Sequence, residues 1–242
     1  MDPHQIEELN HRFGASSPEE VLSFFIKKYK DKVAFSTSLG AEDQVITHML
    51  SGLGLTLRIF TLDTGRLFQE TYDVLDITRA KYHLPVEIYF PDASHVEAMV
   101  SEKGINLFYD SFENRLLCCH IRKTEPLKRA LAGMDAWFSG LRREQSLSRH
   151  DIRRVEWDEQ HGMIKINPLV DWTHEQVWEY IRKHHVPYNK LHDQDYPSIG
   201  CQPCTRAVQA GDDIRSGRWW WEQEGQKECG LHVKEAGKKD ER

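Results

Sequence analysis

An α/β fold, a mostly parallel sheet flanked by helices, is predicted by two observations. Short apolar strands alternate with helical segments through the first 90 residues, and each strand runs into a polar turn that opens a helix. The chain has 242 residues, enough for one large domain with a buried core. No linker divides it, and no internal repeat is found.

The elements follow in order. Ser17-Pro18-Glu19-Glu20 opens a helix with a serine cap, proline at the first helical position and glutamate three after the cap. Val33–Ser36 reads as a buried strand that enters the loop Ser36-Thr37-Ser38-Leu39-Gly40-Ala41. A helix from Glu42 to Leu50 ends at Gly52 and Gly54. Leu57–Leu62 is the next strand and stops at Asp63-Thr64-Gly65. A helical pattern from Leu67 to Tyr82 precedes a strand at Val86–Phe90. In the second half, Ser111–Leu131 is helical, Ala136–Leu141 and Ile164–Leu169 are strands, and Thr173 caps a helix over Glu175–His184. From Gly225 the composition is polar and charged, so residues 1–224 form the α/β domain and 225–242 a mobile tail.

Composition narrows the function classes. Hydrophobic residues make up 39% and charged residues 29%, ordinary for a globular chain, and the net charge of −6 opposes a general nucleic-acid binder. The amino terminus lacks an apolar signal region, and no stretch approaches a membrane span. A cytoplasmic location without membrane attachment is therefore expected, with its cysteines reduced or bound to metal.

Five cysteines carry the chemistry: the tandem Cys118-Cys119, the C-x-x-C pair Cys201 and Cys204, and the single Cys229. Two pairs can hold a metal centre. Structural zinc is the rival to an iron–sulfur cluster, because Cys₄ zinc sites also use two pairs. Adjacent cysteines, however, diverge by roughly 100° on a helix of ~3.6 residues per turn. The separate corners of a 4Fe–4S cluster accommodate that divergence better. Cys229 sits among Lys227, Glu228, Gly230 and His232, company that suits an exposed thiolate nucleophile better than a buried apolar cysteine.

The Ser36–Asp43 loop and the Asp63-Thr64-Gly65-Arg66 turn close neighbouring strands at one sheet edge, where open α/β sheets bind ligands. Either alone could be an ordinary turn; together they favour a nucleotide site. Arg122-Lys123, Arg142-Arg143, Arg206, Arg215 and Arg218 flank the cysteine motifs, as either solvated surface or an anion pocket. Trp219-Trp220-Trp221 is read as core packing or a homo-oligomer interface rather than a base-stacking platform. The histidines show no H-x-x-x-H or H-E-x-x-H spacing.

Several segments together resemble the thioredoxin-dependent sulfonucleotide reductase family, and within it the assimilatory adenylyl-sulfate (APS) reductases. They are the run Cys118 to Leu127 (CCHIRKTEPL), Gly140 to Ser146 (GLRREQS), Ile199 to Arg206 (IGCQPCTR) and Glu228 to His232 (ECGLH), with the Ser36–Asp43 loop and Leu62–Arg66. The resemblance spans about residues 33 to 232. It implies an adenine-nucleotide hydrolase-like fold related to ATP pyrophosphatases. It also implies one 4Fe–4S cluster on Cys118, Cys119, Cys201 and Cys204, with Cys229 as nucleophile.

By the same resemblance Lys123, Arg143, Arg215, Arg218 and His232 surround the substrate's sulfate and phosphate, with Arg142 the adjacent alternative to Arg143. Ser36, Ser38, Gly40, Asp63, Thr64, Gly65 and Arg66 are the substrate-binding turns. The Ser36–Asp43 loop departs from the glycine-rich loop of ATP pyrophosphatases, which suits a sulfonucleotide better than ATP. The implied reaction reduces APS to sulfite and AMP through an S-sulfocysteine, with thioredoxin as donor. The alternatives are a reductase for the 3′-phosphorylated substrate PAPS or for both, a zinc-stabilised nucleotide-binding protein without turnover, and an ATP-dependent adenylating enzyme.

Overall fold

The structure is a computed structural model, and it describes residues 3–146, 149–209 and 211–222. Apolar alternation builds the sheet. In β1 (Val33–Ser36) the side chains of Val33 and Phe35 face one layer and Ala34 the other; all three are fully buried. The same alternation recurs in β2 (Arg58–Leu62) with Ile59 against Phe60, and in β4 (Ala136–Phe138) with Trp137 opposite its neighbours. Adding β3 (Val86–Tyr89), β5 (Val155–Asp158) and β6 (Met163–Ile166) gives a six-stranded sheet of order β3-β2-β1-β4-β6-β5. Every neighbouring pair is parallel except β5 with β6.

The order reverses direction at β1. The chain moves outward through β2 and β3, then returns to place β4 on the other side of β1. The loops leaving β1 and β4 lie at this switch point and line a crevice at the strands' carboxyl ends.

Helices cover both faces. On one side lie α1 (Pro3–Phe13), α2 (Pro18–Tyr29), α3 (Ala41–Leu53) and α8 (His174–His184). The expected capping box of α2 is present: Glu20 N donates to Ser17 Oγ (3.2 Å) and Ser17 N to the Glu20 carboxylate (2.9 Å). Thr173 caps α8 in the same reciprocal way with Gln176. α4 (Gln69–Tyr82) follows β2, and α5 (Ala93–Lys103) follows β3. α6 (Phe112–Cys119) and α7 (Glu125–Ala130) are joined by a π-helical turn at His120–Thr124. Pro126 accounts for the widening, since it has no N–H to offer the carbonyl four residues earlier.

The sequence-based reading places the central strands and α2, α3, α4 and α8 within a few residues of these bounds. It leaves out α1, α5 and β5. The 225–242 tail lies outside the described residues. No described helix is long and apolar enough to cross a membrane.

Phe35 occupies the centre of the central strand without exposure. Phe35→Ala is expected to cost about 3–5 kcal/mol, read as a lowered urea midpoint. A loss below about 1 kcal/mol would mean that this strand is not the packed centre described.

Candidate active site

The crevice at the β1/β4 switch point is a cleft of about 260 Å³. Its floor is the loop after β1. Leu39 adopts a left-handed backbone (φ +62°) although buried, and Leu39 N donates to Thr37 Oγ1 at 3.0 Å. Such strain in a branched residue persists only where the surroundings fix it. The fixing group is Asp43, whose Oδ2 accepts from Ser38 N (2.6 Å) and Ser38 Oγ (2.7 Å). Gly140, one turn beyond β4, completes the lock. A β-carbon there would lie 2.2 Å from Asp43 Oδ1, so only glycine lets the two loops meet. Burial pushes the Asp43 carboxyl up to about 6, against the hydrogen bonds from Ser38 and Gly140 that lower it.

Glu42 beside it is partly buried, and desolvation acts to raise its pKa. The Arg142 guanidinium and further hydrogen bonds outweigh that and hold it below the ordinary value. Arg142 Nε and Nη2 both donate to Glu42 Oε1, at 2.9 and 2.8 Å, and Nη1 reaches the Trp172 carbonyl at 3.0 Å.

Of the two adjacent arginines, Arg142 lines the cleft and its side chain is 1% exposed. The Arg143 side chain, 42% exposed, turns outward to the Ile152 carbonyl and Asp171. Arg142 thus takes the cleft position that the resemblance gives to Arg143, though tied to Glu42 and Glu144 rather than free to face a ligand.

The turn after β2 divides its duties. Thr64 lines the cleft and its Oγ1 lies 3.2 Å from Cys201 Sγ. Asp63 instead accepts from Gly65 N (2.8 Å) and Tyr72 Oη (2.9 Å). Arg66 points away, to the Ile105 carbonyl (2.9 Å) and Asn106 Oδ1 (3.0 Å). Asp63, Gly65 and Arg66 therefore shape the turn and do not line the cleft. Ser36, Ser38 and Gly40 do line it.

Behind Thr64 lies a second, smaller cavity walled by all four paired cysteines together with Arg115, Arg122, Lys123 and Trp219. Arg115, Cys118, Cys119, Arg122 and Lys123 fall at the i, i+3, i+4, i+7, i+8 spacing of one helix face. Both tandem cysteines consequently reach the same cavity. Cys201 and Cys204 come from a tight turn closed by Cys204 N to the Cys201 carbonyl (3.0 Å) and Thr205 Oγ1 to the same carbonyl (2.9 Å).

None of the four is in a disulfide. Burial raises Cys118 and pushes Cys204 up to about 12, with Cys201 adding to the latter. Four thiolates so enclosed, three of them buried and Cys118 partly buried, are therefore tolerable only beside strong positive charge. Trp219 Nε1 is buried in this wall without an acceptor among the described residues. No three described His, Cys, Asp or Glu side chains are arranged to hold a single metal ion. The thiols line one cavity, so the residues present fit a group that bridges both cysteine pairs.

Lys123, Cys201 and Trp219 belong to both cavities. With Arg215 and Arg218, both buried, Lys123 makes the cleft's cationic wall. Arg218 lies across Gly200, where a β-carbon would come within 2.3 Å of its Nη2, and its Nε has no partner among the described residues. His192 also lines the cleft, and burial lowers its pKa. Neither His192 nor Trp219 stands out as a ligand in the sequence. Cys229 and His232 lie outside the described residues.

Residues 32–207 match the family model of the phosphoadenosine phosphosulfate reductase domain. The chain belongs to this family. It is 53% identical over 205 residues to the adenosine 5′-phosphosulfate reductase of Allochromatium vinosum, covering 85% of this chain and 80% of that one. The Burkholderia cepacia protein of the same name is 51% identical over 203 residues, 84% of this chain and 81% of that one. The crystal structure of phosphoadenylyl-sulfate reductase from Candida auris, a phosphate complex, aligns at TM-score 0.75 and 31% identity, covering 86% of this chain and 98% of that chain. Candida glabrata FMN adenylyltransferase shares the fold at TM-score 0.56 and 14% identity, covering 91% and 75% of the two chains. The matched reductase domain contains all four paired cysteines and Lys123, while Arg215 and Arg218 follow it.

Asp43 gives a test by pH. Its pKa is raised on folding, so the folded chain binds this proton more tightly than the unfolded chain. The stability it contributes is present below about pH 4 and lost as pH rises through about 6. Asp43→Asn removes that dependence. The Tm of the variant minus that of wild type should therefore grow more positive from about pH 4 to about pH 7 and level off above. A difference that is flat or falls across this range would contradict the buried, loop-locking carboxylate.

Proposed function

We propose that the protein reduces adenosine 5′-phosphosulfate to sulfite and AMP, with reduced thioredoxin or a similar dithiol protein as donor. The observation that carries this reading is the shared wall: Lys123 and Cys201 face the nucleotide cleft and the four-cysteine cavity at once. Relatives 44–53% identical over most of the chain bear the name adenosine 5′-phosphosulfate reductase, which favours APS over PAPS.

In the proposed sequence the Cys229 thiolate attacks the sulfur of the bound sulfonucleotide. The sulfur–oxygen bond to the phosphate breaks, and AMP departs with that electron pair. A donor thiolate then attacks Cys229 Sγ and expels sulfite, leaving a mixed disulfide. The donor's second thiol resolves it, restoring the Cys229 thiolate and releasing the donor as a disulfide. Both electrons come from the donor dithiol.

A thiolate approaching a sulfate meets repulsion of about 4 kcal/mol at ~4 Å in an effective dielectric of ~20. Lys123, Arg215 and Arg218 offset it and stabilise the charge that develops on the departing phosphate. The Ser36–Gly40 loop, held open by Asp43 and Gly140, receives the nucleotide at the mouth of the sheet. Cys118, Cys119, Cys201 and Cys204 would hold a 4Fe–4S cluster, whose cationic core would offset part of the charge of their thiolates, with Lys123 adding positive charge beside it. Cysteines outside any disulfide and a dithiol donor suit a reducing compartment such as the cytoplasm.

The test is sulfite release from APS and from PAPS by anaerobically purified protein with reduced thioredoxin. A strong APS preference is expected. Cys229→Ser should abolish release while leaving bound iron unchanged. Normal turnover by that variant would remove Cys229 as nucleophile, and no sulfite from either substrate with wild type would refute the activity.

A further inference from the structure

One fully buried charge has no part in the reaction proposed above. Arg115 lies on α6, three residues before Cys118, with its side chain entirely enclosed. Its Nε and Nη2 donate to Glu222 Oε1 and Oε2 at 2.8 and 2.7 Å, a two-pronged pair. Its guanidinium also lies over the Phe112 ring (4.8 Å) and the Trp219 ring (4.7 Å). Trp219 carries further cations on its ring: Arg218 at 4.6 Å and Arg215 at 5.9 Å. Arg115 is thereby joined to the cleft's cationic wall through one indole.

Trp219 has φ +42°, a left-handed backbone that is an outlier for so bulky a residue. The surrounding contacts hold it there. Trp219 N donates to the Cys204 carbonyl (3.2 Å) and Glu222 N to the Trp219 carbonyl (2.9 Å), while Arg115 fastens the Glu222 side chain. Cys229 follows Glu222 by seven residues in the sequence.

We infer that Arg115 and Glu222 are positioning residues: their buried pair holds the strained Trp219 turn, and so sets Arg218 and the departure point of the segment bearing Cys229 together against the cysteine cavity. The inference rests on the reading of Cys229 as nucleophile. Removing one partner of such a pair leaves a buried charge uncompensated, which relaxes the turn rather than merely loosening a surface contact. Misplacing the groups that meet the reacting sulfur slows the chemical step more than binding.

The experiment uses full-length Glu222→Gln, purified without oxygen, with turnover normalised to bound iron. Per-iron sulfite release from APS and single-turnover sulfonation of Cys229 should both fall about tenfold or more, with KM changed less than about threefold. Tryptic cleavage after Arg218, followed by mass spectrometry without substrate, should speed up about fivefold or more. Glu222→Asp, which keeps the charge, should recover part of each effect and replaces Glu222→Gln if that variant does not fold.

Per-iron turnover and sulfonation within about twofold of wild type would overturn the inference, even if iron content fell, because the pair would then only stabilise the fold. Unchanged cleavage after Arg218 would overturn it as well. If wild type itself released no sulfite, the functional reading would fail, and the cleavage rate would still decide whether the pair holds the turn.

Discussion

The structure depends on burying positive charge at one end of a parallel sheet in a protein whose net charge is −6. Arg115, Arg122, Arg142, Arg215 and Arg218 are all buried around the cleft and the cysteine cavity. A buried guanidinium is tolerable only when its donors are met. Arg142 is met by Glu42, Arg115 by Glu222, and Arg122 donates to the Thr64 carbonyl at 2.7 Å. Each of these three ties together segments far apart in sequence. They form a scaffold on which Lys123, Arg215 and Arg218 face the cleft.

The topology explains why these charges meet. The switch point between β1 and β4 brings the Ser36–Asp43 loop against Gly140, and the adjacent β2 turn sends Thr64 toward Cys201. The cysteine motifs, 81 residues apart, are joined because α6 and the Cys201–Cys204 turn both pack beside that β2 turn. A second small core of Met99, Leu107, Phe108, Ile121 and Trp219 seals the cysteines from the main core. Tyr109 and Trp221, with ring centroids 4.4 Å apart, extend it, so the tryptophan run packs within the chain.

Much of this was legible in the residues. The central strands declared themselves by apolar runs ending in polar turns, and the capping boxes of α2 and α8 by their spacing. The missed elements had weaker signals. α5 buries only Met99, so it has almost no apolar stripe. β5 is a four-residue edge strand whose buried residue is Val155 alone. α1 does carry Ile6, Leu9 and Phe13 at helical spacing, within an otherwise polar stretch. Within the site, Cys118, Cys119 and Lys123 were legible because one motif carries them together, and Cys201 and Cys204 because the C-x-x-C pair is a second. Arg142 and Arg143 were not, since a 3₁₀ turn decides which one faces inward. Nor could spacing show that Asp63 turns to hold its own loop, that Arg66 reaches Ile105 and Asn106 beside the cysteine cavity, or that Trp219 joins the scaffold to the cleft.

The central claim is that the four paired cysteines form the wall of a sulfonucleotide site by holding a cluster. Its most direct test is iron, zinc and acid-labile sulfide analysis of anaerobically purified protein. The account predicts about four iron and four sulfide per chain, lost together when either cysteine pair is replaced by serine. Zinc without sulfide would contradict it and make the cavity a structural metal site beside a nucleotide cleft.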